Sequence, residues 1–413
     1  MSRALLIDLD FRDFVYSYLW GRAVQEGCAR RQLPVDVITV HPAARRSLAD
    51  ELGVPKAAVE PSPNGTTVYI EQADEARSRA AIDTLLGRQP YDTLILNCEA
   101  PLFMHLMLAR GDAFAGARWL VYDRHLHEDL RAHDADAALR DRMVASRMHL
   151  FTIEEIATGA GPPPGQREST ATRWRERLRN RLVAAGLGRL AIAPLFPVHG
   201  SQEVRDERVV GSFKRLGLTE RTIHLQPWPM DDAFFAPQPR PAASGDCVVF
   251  SGGDSGRDYA TLFAAIDGLP LQLRLCANRT PTPLPPNVTI LPRLALHQFR
   301  DEMARADIVV VPLSGQPPVS GITVIAMAKM LARPVIASES AVVRMHIRWQ
   351  GDGGLLCPMG DAPALRAQLA TLLRAPAERE RLGHSGRAHA ATALSLNAFV
   401  ERMLACDEAA RPG

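Results

Sequence analysis

Short runs rich in Val, Ile and Leu alternate with longer helical stretches from the start of the chain, and this alternation is the feature that most constrains the fold. It is typical of βα units, in which each strand of a parallel sheet is followed by a helix that packs back on the sheet. Strands are predicted near residues 3–8, 35–41, 66–72, 92–98, 118–123 and 149–153, with helices at 14–31, 74–88 and 101–111. The first part of the chain is therefore predicted to be one doubly wound α/β domain.

The alternation breaks at two stretches rich in Pro and Gly and then resumes. Residues 158–166 (TGAGPPPGQ) predict a loop and residues 237–245 (PQPRPAASG) predict a hinge, because neither composition sustains regular structure. After the hinge, strands are predicted near 247–251, 271–276, 287–291, 307–312, 333–337 and 354–357, with helices near 257–267, 297–305, 322–331, 361–374, 376–391 and 395–409. This second alternation predicts a second Rossmann-like domain.

The length of the chain agrees with two domains. A chain of 413 residues is too long for one hydrophobic core, because such cores stop growing near about 250–300 residues. We expect an N-terminal domain at 1–236 and a second domain at 246–394, joined by the hinge at 237–245, with the C-terminal segment 395–413 packed back on the first domain. Open parallel sheets bind ligands at the carboxyl ends of their strands, so these domains would enclose a binding cleft.

Composition and charge exclude several classes of protein. The 48 basic and 46 acidic residues leave a net charge of +2, too small for a global field that would gather nucleic acid, so no nucleic-acid partner is expected. The six cysteines are scattered singly, without a C-x-x-C pair, which favours reduced thiols over disulfides or a zinc finger. No signal-peptide pattern opens the chain, and no apolar run approaches the roughly 20 residues of a membrane-spanning helix. We therefore expect a cytoplasmic protein.

The first candidate anion site is residues 251–256 (SGGDSG), which follow a predicted strand and precede a predicted helix. The glycines allow close approach of the backbone, and a helix start offers free N–H groups to an anion. Arg257 is predicted at that helix start, where a guanidinium would contribute about 1.5–3 kcal/mol to phosphate binding, against about 0.3–1 kcal/mol from the helix dipole. The alternative is a glycine turn needed only for packing, with Arg257 in solvent.

A second candidate is the loop 316–321, which ends just before the helix predicted from Ile322. Ser320 is the predicted N-cap of that helix, and Thr323 carries a hydroxyl in its first turn. The alternative here is a capped helix without a ligand.

Six segments of the second half occur in an order that resembles the donor-binding half of the retaining GT-B glycosyltransferases known as group 1 or family 4. They are 250–262 (FSGGDSGRDYATL), 287–293 (NVTILPR), 306–313 (ADIVVVPL), 320–324 (SGITV), 333–338 (RPVIAS) and 353–361 (GGLLCPMGD). The resemblance implies the GT-B fold, in which two Rossmann-like doubly wound domains face each other across a cleft. It also implies sugar transfer from a nucleotide diphosphate donor of the UDP or GDP type, with retention at the anomeric carbon, no metal and no cofactor.

The resemblance also implies roles for individual residues. Donor contacts are expected from Gly252, Gly253, Asp254, Ser255, Arg293, Ser320, Gly321, Ile322 and Thr323, with Arg257 in a catalytic role. In the first domain, where the likeness is only architectural, a histidine beside the sugar is expected after the strand at 118–123, and His125 is favoured over His127 because it is nearer the strand end. Acceptor contacts are expected from Arg12, Tyr16 and Trp20. A hydrophobic face of the first helix is the open alternative for the two aromatic residues.

Two departures from the family put the donor in doubt. Members usually carry two glutamates eight residues apart around the second loop, and these positions are Val319 and Met327 here. The second glutamate normally holds the ribose hydroxyls, and a methionine has no comparable acceptor. A phosphate-binding lysine shortly after Arg257 is also missing. A non-catalytic partner that keeps the fold, or a sugar-nucleotide epimerase, therefore remains an alternative.

The least supported alternative is a phosphatase of the haloacid dehalogenase type. Asp8 and Asp10 at the end of the first strand, with residues 253–258 (GDSGRD), would supply its nucleophile and Mg²⁺ ligands. That chemistry requires a Thr or Val four residues after Asp8, where this chain has Arg12.

Residues 170–187 form a predicted basic amphipathic helix. Such a helix suits an anionic membrane surface or an anionic acceptor, although a solvated surface helix has the same pattern. The expected partners are thus a nucleotide-sugar donor, a small-molecule, glycan or lipid-linked acceptor, and peripherally the inner face of a membrane.

Overall fold

The structure is a computed structural model that describes residues 3–9, 14–40, 48–53, 65–70, 75–87, 89–123, 126, 133, 136–153, 213–219, 221–238, 246–314, 320–347 and 353–406. Within them the chain forms two parallel sheets, of seven and six strands, flanked by helices. The predicted fold class, a GT-B arrangement of two Rossmann-like domains, is confirmed. Among the described helices none is both long and apolar enough to cross a membrane.

The first sheet has the strand order β3-β2-β1-β4-β5-β6-β7, with every neighbouring pair parallel. Its strands are β1 (Ala4–Leu9), β2 (Val35–Val40), β3 (Thr67–Ile70), β4 (Thr93–Cys98), β5 (Arg118–Asp123), β6 (Arg147–Ile153) and β7 (Ile223–Gln226). The helices around it are α1 (Phe14–Arg30), α2 (Leu48–Leu52), α3 (Glu75–Leu86), α4 (Ala100–Ala109) and α5 (Ala137–Ala145).

The second sheet has the order β10-β9-β8-β11-β12-β13, again parallel throughout. Its strands are β8 (Cys247–Gly252), β9 (Leu271–Cys276), β10 (Val288–Ile290), β11 (Ile308–Val311), β12 (Val335–Ser338) and β13 (Gly354–Cys357). The helices are α6 (Tyr259–Ile266), α7 (Leu296–Arg305), α8 (Ile322–Met330), α9 (Ala341–His346), α10 (Ala362–Arg374), α11 (Pro376–Ala393) and α12 (Leu396–Ala405).

Both faces of each sheet are covered, which explains the near-continuous apolar runs that the sequence analysis used to find the strands. In β1, Leu5 and Ile7 pack towards α3 and α4, whereas Ala4 and Leu6 pack towards α1 and α12. β7 escaped prediction because its four residues (IHLQ) are half polar and only partly buried. The helices α2, α5 and α9 also escaped prediction, and each has fewer than ten residues.

The last helix, α12, lies on the first domain although it follows the second in sequence. Phe399 and Met403 share a core with Trp20 of α1, and Glu401 pairs with Arg31 at 2.9 Å. Arg118, the first residue of β5, donates from Nη1 to the carbonyl oxygen of Leu404 at 2.8 Å.

The chain passes between the domains at a junction built on Met230. The N–H of Met230 donates to the Leu394 carbonyl at 2.7 Å, and its carbonyl accepts from the N–H of Leu396 at 2.9 Å. The next residue, Asp231, pairs with Arg22 of α1 at 2.7 Å. Both passages of the chain between the domains are therefore joined to each other and to α1.

Candidate functional site

A buried polar cluster lies at the carboxyl end of the first sheet. The Asp8 carboxylate, 2% exposed, accepts hydrogen bonds from the Ser17 hydroxyl and, at 2.9 Å, from Asn97 Nδ2. Gly21 lies inside α1, where a Cβ would meet Asp8 Oδ2 at 2.7 Å, so a glycine lets the helix approach this carboxylate. Ser17 and Asn97 were not predicted, although a polar residue such as Asn97 near the end of an apolar strand is a signal that the sequence displays.

The phosphatase alternative is wrong. Asp8 lies on β1 in the first sheet, whereas Asp254 follows β8 in the second sheet. Asp254 moreover accepts from the backbone N–H of Asn278 at 2.8 Å and from its side chain, which ties the loop after β8 to the loop after β9. The two aspartate motifs therefore belong to different domains and cannot form one nucleophile site on a single sheet edge.

Two of the four site residues predicted in the first domain, Tyr16 and Trp20, are among the described residues. Arg12 and His125 are outside the described residues, so their roles stay predictions. Trp20 is 1% exposed and stacks on Tyr122 with ring centroids 5.3 Å apart, as the hydrophobic-face alternative requires. Tyr16 is half-buried and meets Trp228 edge-on at 6.0 Å.

Tyr16 and Trp20 line a small pocket with Trp228 and Asp231, but the side chain of Trp20 belongs to the buried core of the first domain and offers a ligand no surface. The prediction that Trp20 contacts the acceptor is therefore wrong. Its indole Nε1 is buried and has no acceptor among the described residues.

The loop after β8 is held by the Arg257 side chain. Arg257 Nε donates to the Gly252 carbonyl at 3.0 Å and Nη1 to the Ser255 carbonyl at 2.7 Å, while Nη2 makes no hydrogen bond to any described residue. Gly253 has a φ of +98°, and a Cβ there would meet Arg257 Nη2 at 2.9 Å. Burial lowers the pKa of the guanidinium, because desolvation disfavours its charged form. Among the residues that the structure describes, Nη2 therefore has no acceptor, and it is the Arg257 group that we expect a ligand to meet.

The start of α6 is not the open anion site that the sequence predicts. The helix begins at Tyr259, two residues after Arg257, and Asp258 is its N-cap. The Asp258 carboxylate accepts from the Thr261 N–H at 3.0 Å and from the Thr261 hydroxyl at 2.6 Å. A carboxylate already occupies this helix end and would repel a second anion.

The start of α8 is different. Gly321, with a φ of +81°, is the N-cap and has no side chain to cap the helix, so the prediction of Ser320 as N-cap is wrong. A Cβ at Gly321 would meet Val311 Cγ1 at 2.7 Å, which explains why a glycine stands here. Ser320 is 6% exposed, Ile322 is buried and Thr323 is half-buried. The N–H groups of this first turn are the better anion site of the two.

Arg257 and the start of α8 adjoin each other through Leu313. The backbone of Arg257 forms an antiparallel bridge with Leu313, and the N–H of Ser314 donates to the Gly256 carbonyl at 2.9 Å. The Leu313 side chain in turn lies 3.2 Å from the position of a Cβ on Gly321. The backbone of Arg257 and the start of α8 thus both contact Leu313, and their donor role stays a prediction. The third predicted donor group, Arg293, is exposed and follows the edge strand β10, so its role also stays a prediction.

Met327, at the second glutamate position, is 4% exposed and belongs to the same core as Phe250 and Val311. Val319 lies outside the described residues. Any acceptor for a ribose must therefore come from another residue.

Part of the second domain matches the model of a known protein family. Residues 262–375 match the model of glycosyl transferases group 1, a range that contains the start of α8 and Met327 but begins after Arg257. The match confirms the predicted resemblance and, with it, the glycosyltransferase class of activity. No curated protein matches the chain in sequence.

Solved structures match along the whole length of the chain. A glycosyltransferase from Rickettsia africae has a TM-score of 0.59 at 11% identity, covering 100% of this chain and 99% of that one. Sucrose-phosphate synthase from Thermosynechococcus elongatus has a TM-score of 0.55 at 16% identity, covering 97% of each. HepE from Anabaena, solved with UDP and glucose, has a TM-score of 0.54 at 12% identity, covering 100% of each. At such identities these neighbours show the fold alone.

Restoring the missing glutamate should damage the protein. Met327→Glu places a carboxylate in an apolar core without a partner, so the free energy of unfolding should fall by about 3–5 kcal/mol at pH 7. The loss should shrink as pH falls towards about 4, because a carboxyl group protonated in both states carries no charge to bury. Thermal and denaturant unfolding at several pH values measure this.

Met359→Glu is the matched control. This methionine is 37% exposed, so its replacement should change the stability by no more than about 0.5 kcal/mol. Equal stability of the two variants at pH 7 would contradict the burial of Met327.

Proposed function

We propose, from the group 1 glycosyltransferase match at residues 262–375 and the GT-B fold around it, that the protein transfers a sugar from a nucleotide diphosphate donor to an acceptor held by the first domain. The transfer retains the anomeric configuration and uses neither a cofactor nor a catalytic metal. The observation that carries the proposal is the start of α8 beside the unused Nη2 of Arg257.

The main chemical requirement of the transfer is to stabilise the leaving diphosphate. Its negative charge develops as the bond to the sugar breaks, and preorganised donors aimed at that charge accelerate the reaction. The first-turn N–H groups of α8 and the helix dipole would bind one phosphate, and Arg257 Nη2 would bind the diphosphate from the opposite side. A guanidinium and a helix end thereby take the part that a divalent cation plays in other enzymes.

A UDP-type donor has the most support. HepE from Anabaena was solved with UDP-glucose, and its fold matches this chain over the full length. The ribose hydroxyls then need an acceptor other than residue 327, because Met327 is an apolar core residue.

The first domain would hold the acceptor and the sugar. The Asp8 cluster lies at the carboxyl end of its sheet, and the segment with His125 follows β5 at that same end. A neutral histidine there would hydrogen-bond the transferring sugar without changing its charge. The acceptor is a small molecule, a glycan or a lipid-linked sugar.

The buried Met327 favours a second candidate, a non-catalytic partner that has lost donor binding. An epimerase of the same fold is the third, and it would release nucleotide without any acceptor. Detection of the product separates them: a transferase forms a new glycosidic bond whose α or β configuration matches that of the donor.

Arg257→Ala should lower kcat/KM for the nucleotide sugar about 10²- to 10³-fold, because loss of one preorganised donor costs about 2.7–4 kcal/mol in the transition state. Nucleotide release from UDP- and GDP-sugars, with candidate acceptors present, measures the effect.

Arg279→Ala is the control, because Arg279 is exposed on the neighbouring loop and should leave kcat/KM within about twofold. Circular dichroism confirms that both variants are folded. If the folded Arg257→Ala variant has the kcat/KM of the wild type, Arg257 does not stabilise the leaving diphosphate.

We further propose a cytoplasmic protein that meets the inner face of the membrane through residues 170–187, which lie outside the described residues. The basic amphipathic pattern of this segment supports the proposal. The wild type should sediment with acidic vesicles and not with neutral ones, and the triple variant Arg175→Glu, Arg177→Glu, Arg179→Glu should stay in the supernatant. If the wild type does not sediment with acidic vesicles, the proposed membrane contact of residues 170–187 is wrong.

A further inference from the structure

Three side chains that bind metals well converge at one edge of the first domain. His149 lies on β6, His224 on the edge strand β7, and Cys406 directly after α12. His149 Nδ1 lies 3.0 Å from His224 Nε2, and Cys406 Sγ lies 4.0 Å from the same His224 atom. The three ligand atoms all lie within 4.8 Å of one another.

We propose that His149, His224 and Cys406 bind one Zn²⁺ ion. Two imidazole nitrogens and a thiolate form a donor set that this borderline-soft cation prefers. Around a tetrahedral Zn²⁺, two bound nitrogens lie about 3.3 Å apart, and a nitrogen and a sulfur lie about 3.5 Å apart. The two separations that involve His224 Nε2 differ from these by about 0.3 to 0.5 Å. The third, between His149 and Cys406, lies within 4.8 Å and must shorten by about 1 Å, which side-chain rotations of His149 and Cys406 can supply. Binding releases the thiol proton to solvent, and water fills the fourth position.

The site lies in the first sheet, on the side of the amino ends of β5 and β6, whereas the acceptor is proposed to bind at the carboxyl end of that sheet. His149 is the third residue of β6, and the neighbouring Arg118 is the first residue of β5. Arg118 donates to the carbonyl oxygens of Leu404 and Cys406, so the end of α12 is already positioned over the amino ends of these strands. An ion here would not reach a substrate at the carboxyl ends. Its effect is to attach the C-terminal helix to the edge of the sheet.

The surroundings hold the ligands in place. The His224 ring stacks on Phe151 with centroids 4.6 Å apart, and His149 is 9% exposed. Without a metal, the 3.0 Å contact would be a hydrogen bond between one protonated and one unprotonated ring nitrogen. A zinc site includes the Cys406 thiolate as a ligand, whereas a hydrogen bond between the two histidines does not involve Cys406. This difference can be measured.

The test is metal binding by the full chain. After chelation and buffer exchange, titration with Zn²⁺ against a chromophoric competitor should give about one equivalent bound per chain. Co²⁺ in its place should give a thiolate-to-cobalt charge-transfer band and the intense visible bands of a tetrahedral ion. The melting temperature should rise with Zn²⁺ concentration, because an ion that binds only the folded chain stabilises it.

The variants identify the ligands. Cys406→Ser should lose the charge-transfer band and weaken binding by at least about tenfold, and His224→Gln should do the same. Cys247→Ser, which changes another half-buried cysteine in the second domain, should behave as the wild type. Should His224→Gln fail to fold, the cobalt spectrum of Cys406→Ser still decides. Absence of stoichiometric binding by the wild type, or an unchanged cobalt spectrum in Cys406→Ser, would overturn the proposal, and neither result touches the donor site.

Discussion

The hydrogen bonds of Met230 to Leu394 and Leu396 hold together the two places where the chain passes between its domains. The second domain is thus inserted in sequence between the body of the first domain and its last helix, and the two passages are hydrogen-bonded to each other. Asp231 extends this junction to α1 through Arg22, and Asp232 extends it to the start of α12 by accepting from Ser395 at 3.0 Å. The position of the carboxyl ends of one sheet relative to those of the other depends on this junction. The same junction therefore sets the distance between the proposed donor and acceptor sites.

Within that frame, two helix starts in the second domain have opposite electrostatic characters. The start of α6 is closed by its own aspartate, and the start of α8 begins at a glycine with no side chain to close it. The dipole is therefore neutralised by a carboxylate at α6, whereas no described side chain caps α8. Arg257, which follows the first glycine-rich loop, turns back over that loop and adjoins the second helix through Leu313. We therefore place the proposed phosphate-binding site between Arg257 and the start of α8, and not at the glycine-rich loop 251–256.

The fold could be predicted from the sequence because parallel strands buried on both faces leave continuous apolar runs. β7 lacks that signal, because its partly buried position at the edge of the sheet allows His224 and Gln226. The proposed donor site could be predicted only in part. Asp258 and Thr261 have the spacing of a side-chain cap, but the anion site was assigned to the glycines before them. The choice of Gly321 over Ser320 depends on a positive φ and on contact with Val311, neither of which a sequence displays. The His149, His224 and Cys406 cluster joins three distant segments, so no spacing rule for paired ligands could reveal it.

The proposed function depends above all on whether Arg257 and the start of α8 bind a diphosphate. Calorimetric titration with UDP and GDP, each compared with its nucleoside monophosphate, tests that claim most directly. We expect the better diphosphate to bind at least about tenfold more tightly than its monophosphate, because each charge-assisted hydrogen bond contributes about 1.5–3 kcal/mol. Equal binding of diphosphate and monophosphate, or no binding of any nucleotide at millimolar concentration, would contradict it.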